Sequence, residues 1–168
     1  MGLLAEGFDH PIHLVFGNND ADTFRITRIA QNYGNVRLYG ELAELLLLHG
    51  FLHGKNDTEE NYETADGLRI AVNHFHDIAP ALMASGRYDV VCFGHNHQLQ
   101  IEYFNRQTGE RLDGPQANAG LYLNPGPIMG YNPGIGSDVP STFLVLDTNT
   151  LTVSVKRVTE EGVMGHEA

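Results

Sequence analysis

Residues 88–97 read Tyr-Asp-Val-Val-Cys-Phe-Gly-His-Asn-His, and this stretch decides the fold. Its first six residues form an apolar run with the length and β-branched content of a buried strand. Gly94 then lets the chain turn sharply before the two histidines. Open α/β sheets place their chemistry beyond the carboxyl ends of their strands, and imidazole is the commonest metal ligand. The stretch favours an α/β fold with a metal-binding strand end, although a polar turn with incidental histidines would leave the same pattern.

The composition is that of one globular domain. The chain has 168 residues, of which 42% are hydrophobic and 18% charged, so we treat residues 1–168 as a single domain. The net charge of −11 argues against a nucleic-acid partner and suits a protein that attracts cations. The aliphatic run Leu45 to Leu48 is too short to cross a membrane. A single cysteine, Cys92, allows no internal disulfide, and the start shows no leader pattern, which predicts a cytoplasmic protein.

Strand and helix patterns alternate in the first part of the chain. The predicted strands are 12–16, 36–39, 68–73 and 88–93, and the predicted helices are 21–33 and 78–85. Asp20 or Asp22 caps the first helix, with Phe24, Ile29 and Ala30 facing inward. Residues 41–48 fit a helix or a strand, and the acidic segment 53–66 predicts an exposed loop.

The second part of the chain contains strand patterns without helices between them. The predicted strands are 98–105, 121–124, 142–147 and 151–158, joined by turn-rich segments. Residues 124–136 are rich in proline and glycine, which predicts a long loop. Loops of that length in compact domains are usually functional.

Metal-competent side chains follow three of the predicted strands. Asn18 follows the first strand, His74 and His76 follow the strand 68–73, and His95 and His97 follow the strand 88–93. An asparagine beside a glycine is ordinary turn chemistry by itself, but an amide oxygen can bind Mn or Mg. Because parallel strands end at one rim of a sheet, we expect the three junctions to converge.

The ordered motifs resemble those of the calcineurin-like metallophosphoesterases, chiefly their small bacterial and archaeal single-domain phosphodiesterases. The resemblance runs from about Pro11 to Val158, and four motifs carry it: Gly17-Asn18-Asn19-Asp20, His74-Phe75-His76, Gly94-His95-Asn96-His97 and Leu123-Asn124-Pro125-Gly126. It implies a two-sheet αββα sandwich with helices outside.

By this resemblance, Asn18, His74 and His95 hold one metal ion, and His97 belongs to a second. Asp20 and His76 are the implied catalytic residues near the phosphate. The implied activity is hydrolysis of a small phosphodiester by a metal-activated hydroxide. Divalent ions are the implied cofactors, with Mn first and Zn, Mg, Ni or Fe as alternatives. No membrane is implied, and a homo-oligomer is compatible with the pattern.

Several family features are missing. The family's D-x-H and G-D strands precede the G-N-x-D motif, but only sixteen residues precede Gly17. Asp9 and His10 are the upstream candidates, and they are adjacent and stand before a proline. Phe75 replaces a family glycine and Pro127 a family serine. We therefore expect a domain that lacks its N-terminal βαβ unit and is impaired or inactive as this chain alone. The alternative is a non-catalytic metal-binding or protein-interaction scaffold, like the retromer subunit of this fold.

Overall fold

The computed structural model describes residues 2–167, with side-chain environments for residues 2–165. The helices of this described part are α1 (Gly2–Gly7), α2 (Thr23–Ala30) and α3 (Ala79–Ala84). Its strands are β1 (Ile12–Leu14), β2 (Val36–Leu38), β3 (Leu42–Leu48), β4 (Phe51–Gly54), β5 (Leu68–Asn73), β6 (Val90–Cys92), β7 (Leu99–Asn105), β8 (Arg111–Leu112), β9 (Ala119–Pro125), β10 (Tyr131–Asn132), β11 (Ser137–Asp138), β12 (Thr142–Asp147), β13 (Thr152–Thr159) and β14 (Gly162–Glu167).

A seven-stranded sheet forms the centre of the molecule, in the order β4-β3-β5-β6-β9-β7-β8. Its middle strands β5, β6 and β9 run parallel, whereas β3 and β7 pair antiparallel to the strands beside them. Val90 and Val91 are both fully buried on β6, and they belong to the cores on opposite faces of the sheet. Burial on both faces explains why this strand reads as a continuous apolar run. The carboxyl ends of β5 and β6, which carry the predicted ligands, therefore lie side by side.

The second layer is made of two separate parts. The parallel pair β1-β2 and the antiparallel sheet β12-β13-β14 both contribute to the core on one face of the seven-stranded sheet. Val15 and Tyr39 directly follow the two strands of the first part, and Leu144 and Val153 lie on β12 and β13. Helix α3 packs on the opposite face through Ala79. The predicted α/β fold is confirmed as a mixed architecture dominated by strands, and the described residues form four sheets where a two-sheet sandwich was expected.

Helix α2 differs from the helix predicted for this part of the sequence. It covers residues 23–30 rather than 21–33, and Asp22 is its N-cap, accepting a hydrogen bond from the Arg25 backbone N–H at 2.9 Å. Ala30 is buried as predicted, but Phe24 is 72% exposed. Ile26 and Ala30 lie one turn apart on the inner face, whereas Phe24 precedes Ile26 by two positions and so faces the other way. The prediction that Phe24 faces inward was wrong.

The segment that fitted helix or strand equally is the strand β3. Leu45, Leu46 and Leu48 are all buried, so the run has no polar face that would reveal its period. It continues into β4 through His49 and Gly50, both in the left-handed region with φ of 50° and 83°. That two-residue hairpin places the start of the predicted loop 53–66 in a strand. In the loop predicted over 124–136, β10 forms a short ladder with β11.

None of the helices in the described residues is long and apolar enough to cross a membrane. Burial raises the pKa of the Cys92 thiol to about 12. It therefore stays neutral near pH 7, as an inert thiol does.

Candidate metal centre

Three loops bring Asn18, His74 and His95 together, and we call these residues the ligand triangle. Asn18 follows β1, His74 follows β5, and His95 follows β6. His74 Nε2 lies 2.7 Å from Asn18 Oδ1 and 3.1 Å from His95 Nδ1. His95 Nδ1 lies 3.1 Å from Asn18 Oδ1, which closes the triangle. Three atoms that can each offer a lone pair to a cation thus meet from distant parts of the chain.

A divalent ion fits the ligand triangle. Ligand atoms about 2.1 Å from an ion and at right angles to one another lie roughly 3.0 Å apart. The observed separations of 2.7 to 3.1 Å match that spacing. Imidazole nitrogen suits Zn, Fe and Ni, and an amide oxygen suits the harder ions such as Mn. Because all three donors are neutral, a bound cation would keep its full charge for an anionic ligand.

Gly17 and Asp20 shape the loop that carries Asn18. The Asp20 Oδ2 accepts a hydrogen bond from the Gly17 backbone N–H at 2.7 Å, which folds the turn back on itself. A Cβ added to Gly17 would lie 2.8 Å from the Cε1 and Nδ1 atoms of His74, closer than real side chains approach. Only glycine therefore lets this loop pass the His74 ring and deliver Asn18.

The surroundings of His74 favour its neutral form. Its pKa is lowered below the ordinary value of 6.5, first by burial and then by the neighbouring charge of His95 when protonated. Asp20 opposes this shift, and His97 adds to it. Neutral imidazole is the form that binds a metal.

The turn from Gly94 to His97 is strained at the histidines. His95 has a φ of 71° and His97 a φ of 56°, so both occupy the left-handed region that non-glycine residues rarely adopt. Gly94 is not in that region, so the expected reason for its presence was wrong. Its N–H instead donates to the His74 backbone carbonyl at 3.0 Å, which joins the two ligand-bearing loops.

His97 lies outside the ligand triangle. Its Nδ1 is 2.9 Å from the backbone carbonyl of Tyr131, an acceptor, so this nitrogen carries the proton. The lone pair of His97 is then on Nε2, the arrangement that metal-binding histidines usually show. The Asn132 side chain donates back to the His97 carbonyl at 3.3 Å, which ties this turn to the loop after β9.

His76 and Phe75 surround the ring of His95. The His76 ring stacks on it with centroids 5.4 Å apart and an interplanar angle of 14°. The Phe75 ring lies 5.3 Å from the His95 ring and 5.1 Å from the His74 ring. His76 is exposed at the edge of the site, whereas Phe75 is partly buried. The bulky ring at position 75 therefore packs against two of the triangle residues.

Three asparagines to which the sequence analysis assigned no role support these turns. Asn73 is buried at the end of β5, donates to the Glu41 carbonyl at 2.9 Å and accepts from the Phe75 N–H at 2.7 Å. Asn124 is buried at the end of β9 and donates to the Asn96 side chain at 2.7 Å. One sequence signal could have identified Asn73 and Asn124: each is a polar residue at the end of an apolar strand pattern, next to a ligand motif.

The described residues contain no group of three or more His, Cys, Asp or Glu side chains placed to hold an ion, so the amide of Asn18 is essential to the triangle. The upstream candidates Asp9 and His10 are exposed in the segment between α1 and β1. His10 packs edge-on against Phe8, with ring centroids 6.2 Å apart. Neither residue has a hydrogen bond to the triangle in the described structure.

Comparisons with known proteins address the family and the fold of the chain. The family model described as the calcineurin-like phosphoesterase superfamily domain matches residues 3–151. An archaeal phosphodiesterase is a structural match, with 18% identity and a TM-score of 0.61 over 93% of this chain and 73% of that one. Among curated sequences, none matches this chain significantly.

The structural matches also include several structures of vacuolar protein sorting 29. The Zn-complexed protein from Entamoeba histolytica has 15% identity and a TM-score of 0.53, over 99% of this chain and 86% of that one. The protein from Cryptosporidium parvum has 13% identity and a TM-score of 0.52, over 89% and 77%. These likenesses concern the fold alone.

Proposed function

Because the chain belongs to the calcineurin-like phosphoesterase superfamily, we propose that it is a divalent-metal-dependent phosphoesterase that hydrolyses a small phosphodiester. The observation that carries the proposal is the ligand triangle. Its three lone-pair atoms lie at the spacing that one ion requires. Asn18, His74 and His95 can therefore bind the same cation without a rearrangement of the loops that carry them.

The residues around the triangle have separate roles in this proposal. His97, with its proton on Nδ1, offers Nε2 to a second ion beside the first. His76 is exposed beside His95, where it can contact a phosphate oxygen or donate a proton to the leaving oxygen. Asp20 keeps the Asn18 loop in place and adds a negative charge near His74. A bound divalent ion would supply the hydroxide nucleophile and stabilise charge on the phosphate.

The donor set favours zinc over manganese at the triangle. Two of the three donors are imidazole nitrogens, and none is a carboxylate. Affinity of such a site rises along the first-row series from Mn toward Cu and stays high at Zn. Manganese was the first expectation from the family resemblance. We propose tighter binding of Zn, with Mn as an ion that is exchanged in at higher concentration.

A substrate of this site is an anion. The chain's net charge of −11 disfavours a long polyanion, whereas a single phosphodiester needs only the local positive charge of the bound cation. A slow reaction is expected, because the triangle offers no carboxylate that could bridge two ions.

The second candidate is a non-catalytic metal-binding or protein-interaction scaffold. The absence of a carboxylate from the triangle favours it, and so does the fold likeness to vacuolar protein sorting 29. Under this candidate the triangle binds an ion, but no substrate is turned over.

Hydrolysis of bis(4-nitrophenyl) phosphate separates the two candidates. The dialysed chain, loaded with Zn or Mn, is compared with its His95→Ala variant and with the same metal in buffer. We expect turnover above the metal blank that the His95→Ala variant loses and a His10→Ala control keeps. An ion bound at the triangle without turnover would favour the metal-binding scaffold, and an absence of bound metal would contradict the proposed hydrolysis and leave only the protein-interaction scaffold.

A further inference from the structure

The side chain of Asn96, at the centre of the strained turn between His95 and His97, holds this turn from within. The residues on either side of Asn96 have φ of 71° and 56°, a conformation that relaxes unless the surroundings hold it. Asn96 Oδ1 accepts a hydrogen bond from the Gln98 backbone N–H at 3.2 Å, within the turn. The same oxygen accepts a shorter bond, at 2.7 Å, from Nδ2 of Asn124.

Asn124 is a rigid anchor for this bond. It is 1% exposed and lies on β9, whose residues 119–124 are all buried. Its own Oδ1 accepts a hydrogen bond from the Gly126 N–H at 3.0 Å. Because the oxygen faces a donor and the nitrogen faces an acceptor, only one orientation of the amide satisfies both contacts. The bond to Asn96 therefore ties the turn to the centre of the seven-stranded sheet.

We propose that Asn124 and Asn96 are positioning residues for the metal centre, acting by holding His95 and His97 in their left-handed conformations. This inference rests on the metal site of the proposed function, and it concerns how the ligands are aimed rather than what the site hydrolyses. Without the bond, the turn relaxes toward ordinary φ values and His95 Nδ1 moves away from Asn18 and His74.

The chemistry of the two amides suggests matched variants. Asn96→Ala removes the acceptor for both Asn124 and Gln98, at a partly exposed position where a smaller side chain is tolerated. Asn96→Asp keeps an acceptor oxygen for both donors. Asn124→Asp replaces the donor with an acceptor of the same shape. Asn105→Ala is the control, because Asn105 makes the same kind of side-chain bond to Gln107 and Thr108 in a different turn.

The first measurement is the Zn affinity of the folded variants, by competition with a chromogenic chelator, beside their thermal stability. Loss of a supporting hydrogen bond typically lowers metal affinity 10–100-fold. We expect a loss of about that size for Asn96→Ala and Asn124→Asp, recovery in Asn96→Asp, and unchanged affinity in Asn105→Ala. A purely structural role would lower the unfolding temperature of Asn96→Ala and leave its Zn affinity at the wild-type value, which would overturn the proposal.

The second measurement needs no metal, so it tests the hold on His95 and His97 separately from the proposed metal binding. Long-range ¹H–¹⁵N spectra report the ring nitrogens of each histidine in the metal-free chain. We expect the His95 and His97 signals to shift in Asn96→Ala and Asn124→Asp, and the His13 signal to stay. Unshifted His95 and His97 signals would overturn the inference. Asn124→Asp replaces Asn96→Ala in both measurements if the alanine variant fails to fold.

Discussion

The backbone of Gly17 lies directly against the imidazole of His74, and a methyl group on Gly17 would come within 2.8 Å of two ring atoms. This contact fixes the distance between the loop that carries Asn18 and the His74 ring. The positions of Asn18 and His74 therefore both depend on the absence of a side chain at residue 17. The relationship gives the first test of the ligand triangle.

Replacing Gly17 with alanine should weaken metal binding, because the new methyl group pushes the His74 ring away from Asn18. Forcing a methyl group into a packed contact typically costs about 1–3 kcal/mol of stability. Gly34→Ala is the control, because a Cβ there meets nothing within 4 Å. Zn affinity and the free energy of unfolding are measured for both. Equal Zn affinity in the two variants would show that the Gly17 contact does not shape the site.

Replacing His95 with alanine should remove most of the Zn binding, since two donors remain where three held the ion. We expect elemental analysis after dialysis to find one tightly bound ion per wild-type chain and well under one in His95→Ala. The His10→Ala variant should match the wild type, because His10 is exposed and packs on Phe8. A loss of metal in His10→Ala would mean that the upstream residues supply a ligand after all.

Replacing His97 with alanine should leave the tight ion in place, because His97 is hydrogen-bonded to Tyr131 and is not part of the triangle. Any weaker second ion should be lost, together with part of the hydrolysis that depends on it. Isothermal titration with Zn separates the two binding events. If His97→Ala instead removed the tight ion, the assignment of ligands to the first ion would be wrong.

Protonation of His13 should destabilise the fold. Its pKa is lowered from the ordinary value of 6.5, first by burial and then by the charge of Arg37, with Asp57 opposing and His53 adding. Its Nδ1 is bonded to Tyr39, and within the described residues its buried Nε2 has no hydrogen-bond partner. Protonating the ring would bury an unpaired N–H group, which is costly.

The lowered pKa of His13 determines how the stability of the fold changes with pH. Because the folded pKa of His13 lies below the unfolded value, the unfolded chain takes up its proton first as the pH falls. The stability that the neutral ring provides is complete above about pH 6.5 and declines below it, toward the folded pKa. Urea unfolding at pH 8 and pH 5 should show a larger loss for the wild type than for His13→Gln. An equal loss of unfolding free energy in both proteins would show that His13 does not cause the pH dependence.

The sequence predicted that the three junctions converge, because strand ends are local features. The choice of Asn18, His74 and His95 as ligands of one ion came from the family resemblance. The strand 68–73 was predicted with its observed bounds, and the glycine and histidine pattern after 88–93 marked the next junction. Parallel pairing brings the carboxyl ends of β5 and β6 together, as expected from the βα order of this part of the chain. Strand β1 lies in a separate two-stranded sheet, so the approach of Asn18 to the two histidines depends on how the two sheets pack, which the sequence did not predict.

The supporting contacts could not be read from the sequence. Asn96 meets Asn124 only because β6 and β9 are neighbours, although β7 lies between them in the chain. The left-handed conformations of His95 and His97 are held by such distant bonds, and no local pattern marks them. Leu45 to Leu48 fitted helix or strand because burial on both faces leaves no periodicity to detect.

A crystal structure of the Zn-loaded chain, with anomalous scattering recorded at the Zn edge, tests the ligand triangle most directly. We predict one dominant anomalous peak, about 2.1 Å from Asn18 Oδ1, His74 Nε2 and His95 Nδ1. The neighbouring Nε2 of His97 should lie outside bonding distance of that peak. A dominant peak elsewhere, or none within reach of these three atoms, would contradict the assignment of this site as the metal centre.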